Sequence, residues 1–280
     1  MDRSLSGKNV FVTGGSRGIG LAIACRLAQE GANITIAAKT AEPNPKLPGT
    51  LYTAAAAIEA AGGRCLPIQV DIRDELALQA AVNRSAEHFN GLDVLINNAS
   101  AIHLTPTDMT PMKRFDLMFG VNVRGTYAST QACLSHLRAS GKAGRNPHVL
   151  NLSPPLNLNP NWFAPHVAYT MAKYGMSMCV LGHAREFKHQ GIAVNALWPQ
   201  TAIYTAAMQM IPGVLPEHCR EPAIMADAAV HILQRTASDP DGTGQFFIDE
   251  AVLRQAGVSN FDHYATVPGS QQIQRDFFLD

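Results

Sequence analysis

The feature that most constrains how this chain can fold is a glycine-rich turn set between a strand and a helix near the N-terminus. Residues 9–13 read as a short apolar strand, and Thr13-Gly14-Gly15-Ser16-Arg17-Gly18-Ile19-Gly20 leads directly into a helical stretch over 19–30. Glycines at such a turn let the backbone approach a pyrophosphate, while the unpaired N–H groups of the next helix attract its negative charge. An ordinary strand-to-helix turn can also be glycine-rich, so the placement carries more weight than the spacing.

Further apolar runs over 33–38, 65–70, 94–97, 148–152, 193–197 and 245–248 alternate with helical spacing over 51–61, 75–89, 111–139, 166–188 and 223–235. The alternation predicts an α/β fold: a Rossmann-like doubly wound parallel sheet of about seven strands with helices on both faces. Two proline-bearing segments interrupt it, 40–49 with Pro43, Pro45 and Pro48, and 153–165 with Pro154, Pro155, Pro160 and Pro165. Proline stiffens loops without making them helical, so both are expected as ordered excursions above the sheet. No repeat or linker divides the chain. A single domain over 1–280 is expected, with 251–280 as an aperiodic extension that wraps the domain or a neighbouring subunit.

The 22 basic and 22 acidic residues cancel, and 46% of the chain is hydrophobic, which argues against disorder and against a general attraction to nucleic acid. No run reaches the roughly 18 to 20 apolar residues of a membrane span, and the first strand leaves no room for a signal peptide. Cys25, Cys65, Cys133, Cys179 and Cys219 are scattered without metal-ligand spacing. They are expected to be reduced, in a soluble, cytoplasmic protein. His103, His166 and His183 show no spacing that suggests a metal.

A site preferring NAD usually offers an acid to the adenosine ribose about 20 residues past the glycines. Here the second strand ends Ala37-Ala38-Lys39, and the first acid is Glu42. Lys39 with Arg17 can neutralise a ribose 2′-phosphate, which favours NADP(H) over NAD(H); the alternative is a solvated Lys39 and a site that tolerates both. Asp71, before Ile72, can accept from an adenine amino group or cap the helix that starts near Asp74. Asn97 and Asn98, before Ala99 and Ser100, close the fourth strand, where their amides can tie neighbouring strands together.

His166-Val167-Ala168-Tyr169-Thr170-Met171-Ala172-Lys173 opens a long helix, and the four-residue interval puts Tyr169 and Lys173 on one face. An ammonium beside a phenol favours its ionised form, lowering a pKa that is ordinarily near 10. By itself the pair is also what an exposed aromatic beside a lysine looks like.

Glycine turn, Asn97-Asn98-Ala99 and Tyr169/Lys173 together resemble the short-chain dehydrogenase/reductase family in order and interval over about the first 200 residues. The resemblance implies an oxidoreductase in which Tyr169 exchanges a proton with the substrate oxygen as hydride moves to or from a nicotinamide. It implies that Lys173 binds the nicotinamide ribose and lowers the Tyr169 pKa, and that Asn122 holds a water linking Lys173 to solvent. Cofactor contacts are expected from Gly14, Ser16, Arg17, Gly18, Ile19, Gly20, Lys39, Asp71, Ile72, Asn98, Ala99, Tyr169, Lys173, Pro199 and Thr201. The family also implies a homodimer or homotetramer. Asn151-Leu152-Ser153-Pro154-Pro155-Leu156-Asn157-Leu158-Asn159-Pro160, Asn195-Ala196-Leu197-Trp198-Pro199 and Asp276-Phe277-Phe278-Leu279-Asp280 resemble a narrower branch, whose members often continue into a sterol-carrier-like domain. This chain is expected to lack that domain, and a peroxisomal Ser-Lys-Leu ending as well.

Three departures stand out. The family's substrate-oxygen serine falls near Leu152-Ser153-Pro154-Pro155, leaving Ser153, Asn157 or Asn159 as candidate donors, with Ser153 taken as catalytic. Pro199-Gln200 stands where Pro-Gly is usual, and Asp249-Glu250 where Asp-Gly-Gly is. Leu156, Leu158, Trp162, Phe163, Met208, Met210 and Ile211 either converge on an apolar pocket, suiting an apolar or lipid-like alcohol or ketone, or pack a lid against the core. A cofactor-binding regulator or scaffold with lost chemistry, or a lipid-handling partner protein, are the alternatives to an enzyme.

Overall fold

The computed structural model describes residues 4–43, 48–211, 213–270 and 272–280; Pro45 and the side chain of Met210 lie outside the described residues. Seven strands form one parallel sheet: β1 (Asn9–Thr13), β2 (Asn33–Ala38), β3 (Arg64–Gln69), β4 (Val94–Asn97), β5 (His148–Asn151), β6 (Ala193–Trp198) and β7 (Phe246–Ile248). They lie in the order β3-β2-β1-β4-β5-β6-β7. The chain reverses direction across the sheet between β1 and β4, and a crevice opens at the carboxyl ends of strands at such a switch point.

Strands buried on both faces must be apolar throughout, and β1 shows how: Val10 and Val12 point into one core, Phe11 into the other. The first core takes α1 (Gly18–Gln29), α2 (Leu51–Ala60), α7 (Ala223–Leu233) and α8 (Asp249–Gln255). The second takes α3 (Glu75–Phe89), α5 (Thr126–Lys142) and the C-terminal half of α6 (Val167–Phe187). Helix starts follow local chemistry. Thr50 and Thr53 form a reciprocal capping box on α2, and Asp74 accepts from the Ala77 N–H to cap α3. Asp71 is therefore not the cap.

The helix expected over 111–139 is three pieces: α4 (Met112–Met118), a π-helical stretch over Phe119–Gly125, and α5. Its wide turn is where Asn122 sits. The extension expected from 251 onward is not wholly aperiodic, because Asp249 and Glu250 start the short α8. Gln200 keeps a negative φ, so the missing glycine is not needed there. Among the described residues no helix is long and apolar enough to cross a membrane, and all five cysteines are free thiols.

Candidate active site

Strand register builds the floor of the crevice. Thr13 of β1 lies beside Asn97 of β4, which lies beside Asn151 of β5. Asn97 Nδ2 donates to Asn151 Oδ1 at 2.9 Å, and Asn151 Nδ2 donates to the Met176 carbonyl of α6 at 3.2 Å. Asn98 Nδ2 donates to the carbonyls of Thr13 and Gly14, at 3.1 and 2.9 Å. These amides tie the glycine turn, two strand ends and the Tyr169 helix together from beneath.

Above that floor lies a cleft of about 550 Å³. The glycine turn forms one end: Gly14 has φ +68°, and a Cβ there would meet Ala99 Cα at 2.8 Å. Arg17 is the N-cap of α1 and gives its N–H groups no side-chain cap. Its own Nε is buried without a partner, while Nη2 donates to the Gly49 carbonyl at 2.8 Å. Uncapped helix N–H groups, a close-approach glycine and an orphaned guanidinium N–H suit a phosphate-bearing ligand. A nicotinamide dinucleotide therefore fits the residues present.

Of the residues expected to bind it, Gly14, Ser16, Arg17, Gly18, Ile19, Lys39, Asp71, Ile72, Asn98, Ala99, Tyr169, Lys173 and Pro199 line the cleft. Gly20 lies behind it, where a Cβ would sit 2.3 Å from Asn98 Nδ2. Thr201 is not among the lining residues: it is buried, its hydroxyl has no partner, and its backbone bridges Arg275. Lys39 Nζ lies 3.0 Å from Asp71 Oδ2, and Arg73 grips the same carboxylate through Nε and Nη2. Arg73 above all, then Lys39, hold Asp71 far below the usual carboxylate range.

Tyr169 and Lys173 are buried one helical turn apart on α6, and both line the cleft. Lys173 Nζ donates to the Leu152 carbonyl at 2.8 Å and lies 5.0 Å from the Trp198 ring centre. The expected lowering of the Tyr169 pKa is not seen. Burial pushes it well above the ordinary phenol value, Asp276 adds to this, and burial brings Lys173 itself down to about 8. The physical reason is desolvation: the ammonium is taken out of water along with the phenol and is spent on a carbonyl. Tyr169 is thus a neutral phenol at neutral pH.

Ser153, just beyond the end of β5, is 0% exposed with an unpartnered hydroxyl and is not among the residues that line the cleft. Asn157 and Asn159 do not replace it: Asn157 donates to the Phe278 carbonyl, and Asn159 caps a short 3₁₀ turn at Pro160–Trp162. Asn122 is wholly buried, and its amide is used on both sides of Ala101, accepting from its N–H at 2.7 Å and donating to its carbonyl at 3.0 Å. Its side chain fixes the loop after β4.

Of the apolar loop residues whose side chains are described, Met208 lines the cleft. Leu156, Trp162 and Phe163 pack against the cluster around Tyr169 and Phe278, and Leu158 is exposed. Sequence reasoning missed Trp198, Asp276 and Phe277 as cleft residues. All three lie in the segments that carry the narrower resemblance, which was the one available signal.

The family model described as short chain dehydrogenase matches residues 8–212. The chain belongs to the short-chain dehydrogenase family. This short-chain dehydrogenase is 59% identical over 277 residues to hydroxysteroid dehydrogenase-like protein 2 of Danio rerio, covering 99% of the chain but 65% of the relative. The human protein of that name is 58% identical, with 64% of its length covered. The chain spans just under two thirds of both. A crystal structure of a short chain dehydrogenase from Mycobacterium thermoresistibile is 49% identical, with a TM-score of 0.90 over 99% of this chain and 96% of that one. More distant structures include a metagenomic short-chain oxidoreductase in complex with NADP (25% identity, TM-score 0.71, 88% and 97% covered) and an NADH-dependent reductase complexed with NAD (26%, 0.70, 89% and 97%). The family is an oxidoreductase family that uses nicotinamide cofactors, in keeping with the cleft.

Proposed function

We propose that this short-chain dehydrogenase moves hydride between NADP(H) and a carbonyl/secondary-alcohol couple on an apolar or lipid-like substrate. The observation that carries the reading is the meeting, in one cleft, of the Gly14–Gly18 turn with Tyr169 and Lys173.

A bound nicotinamide supplies or accepts the hydride. The remaining work falls to the chain. Tyr169, neutral and without a protein partner for its hydroxyl among the described residues, gives its proton to a carbonyl oxygen in reduction and recovers one in oxidation. Lys173, beside it, is the group that binds the cofactor ribose and carries positive charge toward the forming phenolate. The glycine turn and Arg17 take the pyrophosphate. Lys39 at the end of β2, with no acid in the position that would serve a ribose diol, supports a 2′-phosphate and so NADP(H). Ile102, Leu117, Val121, Trp198, Met208 and Phe277 make the wall largely hydrocarbon, which supports an apolar substrate. Exposed Tyr127, Met171, Met178 and Leu181 on α5 and α6 support a homodimer or homotetramer.

Calorimetric titration with NADPH and NADH, followed by reduction of cyclohexanone, acetophenone and 2-decanone, tests the reading. NADPH should bind more tightly, and Lys39→Ala should weaken it about tenfold, the order of one charge-assisted hydrogen bond, leaving NADH unchanged. Tyr169→Phe should cut turnover by about 10²- to 10⁴-fold. Turnover that survives in Tyr169→Phe overturns the proton-transfer role. Cofactor binding without turnover of any ketone would instead favour a cofactor-binding scaffold.

A further inference from the structure

Within the cluster that holds Tyr169, the residues that also line the cleft include Ala101, Ile102, Trp198 and Phe277. Trp198 Nε1 is already committed, donating to the Phe277 carbonyl at 3.0 Å. With Ser153, Asn157 and Asn159 turned elsewhere, that end of the cleft is short of polar side chains. One arrives from the far end of the sequence. Asp276 lines the same cleft as Tyr169 and Lys173 and is close enough to act electrostatically on both.

Its placement is heavily determined. Ala202 N–H donates to the Gln274 carbonyl at 2.9 Å, Arg275 bridges Thr201, and Asp276 N–H donates to the Gln200 carbonyl at 3.2 Å. Two residues on, Phe278 is buried among Trp162, Tyr169, Tyr174 and Trp198, with ring centres 5.3 to 6.4 Å away. It accepts a left-handed φ of +69° to stay there. A non-glycine residue in that region is strained and persists where the surroundings over-determine it. The Asp276 Oδ1 accepts from the Phe277 N–H at 2.6 Å, which leaves Oδ2 toward other partners. Among the described residues the carboxyl forms no salt bridge, and Lys173, which acts on it through space, donates to the Leu152 carbonyl.

We propose that Asp276 is a catalytic residue that faces the substrate: its protonated carboxyl donates a hydrogen bond to the same oxygen that Tyr169 protonates. The proposal rests on the hydride-transfer reading above. No bond to Asp276 is made or broken. The hydride pair becomes the new C–H bond, the carbonyl π pair moves onto oxygen, and that oxygen takes the Tyr169 proton. The groups that face Asp276 are Tyr169 and Lys173 from α6, Asp249 at the start of α8, and Cys219 from the segment before α7. Burial, with Asp249 adding to it, raises the carboxyl to about 7. Below that pH the group is a donor to the developing oxyanion; above it, a second negative charge sits beside that oxyanion and slows reduction.

The test uses the full chain and the same ketones with NADPH between pH 5 and 9, in the unaltered protein, Asp276→Asn, Asp276→Ala and Tyr169→Phe, with NADPH affinity measured for each. Expected is a fall of reductive kcat/KM in the unaltered protein as pH rises through about 7. Asp276→Asn keeps a neutral donor of the same shape, so it should stay within a few-fold of the acid-side rate. Its alkaline limb should move toward the Lys173 range near 8. Asp276→Ala should lose about 10²- to 10³-fold, the loss on removing one oxyanion donor, with NADPH affinity unchanged. The proposal is overturned if Asp276→Ala keeps the unaltered rate and profile, or if Asp276→Asn falls as far as Asp276→Ala. Undiminished turnover in Tyr169→Phe, or none in the unaltered chain, would overturn the underlying hydride-transfer reading, a different outcome from either.

Discussion

Phe278→Ala should release the last residues from the cleft while leaving the sheet folded. Phe278 is 1% exposed, so truncation removes most of an aromatic side chain's burial. At ~25 cal/mol per Å² over roughly 150–200 Å² that is about 4–5 kcal/mol, in line with the ~3–5 kcal/mol of buried Phe→Ala changes. What still holds the segment includes the Ala202–Gln274, Gln200–Asp276, Trp198–Phe277 and Asn157–Phe278 hydrogen bonds, each worth about 0.5–1.5 kcal/mol net. Against them stands the ordering of the segment at roughly 1–2 kcal/mol per residue, and the left-handed φ that alanine keeps without the ring to hold it. The balance favours opening. Hydrogen exchange read by mass spectrometry should show protection of the Asp276 amide falling by at least about 100-fold, since ~1.4 kcal/mol is a factor of ten. Amides of β1, β4 and β5 should change far less, because the apolar cluster around Phe278 takes no residue from those strands. A loss of under tenfold at Asp276, or an equal loss throughout the sheet, would refute the reasoning.

His148 in β5 is wholly buried, its Nε2 is unpartnered, and burial lowers its pKa to about 4. A folded pKa below the unfolded value of about 6.5 means the unfolded chain binds the extra proton. Stability from the neutral ring is complete above about 6.5 and is lost as pH falls toward 4, by roughly 3 kcal/mol. Urea unfolding at pH 7, 5.5 and 4 should show this loss in the unaltered chain and a smaller one in His148→Gln; parallel losses would exclude His148 as the cause. Gly20→Ala, whose methyl would meet Asn98 Nδ2 at 2.3 Å and the Gly14 carbonyl at 2.8 Å, should cost about 1–3 kcal/mol in thermal unfolding and weaken dinucleotide binding. Gly182→Ala at an exposed position of α6, where the methyl meets nothing within the chain, should instead gain about 0.5–1 kcal/mol.

The parts of the site that were legible in the sequence are those written by local spacing. A strand that runs into Gly14 and Gly18 can only present them past its carboxyl end, and a four-residue interval can only put Tyr169 and Lys173 on one helix face. The place of Ser153 is not legible in the sequence, because side chains alternate at the end of a strand and an offset of one residue decides which side a residue faces. The Tyr169 environment was misjudged in sign because attraction to Lys173 is visible in a sequence, whereas the burial that outweighs it is set by Trp198 and Phe278 from elsewhere in the chain. Asp276 and Phe277 were missed for a related reason. They meet Gln200 and Trp198 across more than seventy residues, through a closure that no periodicity encodes.

The π-helical stretch over Phe119–Gly125 works as a phase adjuster for the helix pair it joins. Each residue of an α-helix advances about 100° and 1.5 Å, so removing one from that stretch to restore ordinary winding would rotate α4 by that angle relative to α5. Leu117 and Val121 would swing off the substrate wall, and the Asn122 amide would leave the backbone of Ala101. The wider winding of that stretch thus sets which side chains of α4 and of the stretch itself face the cleft.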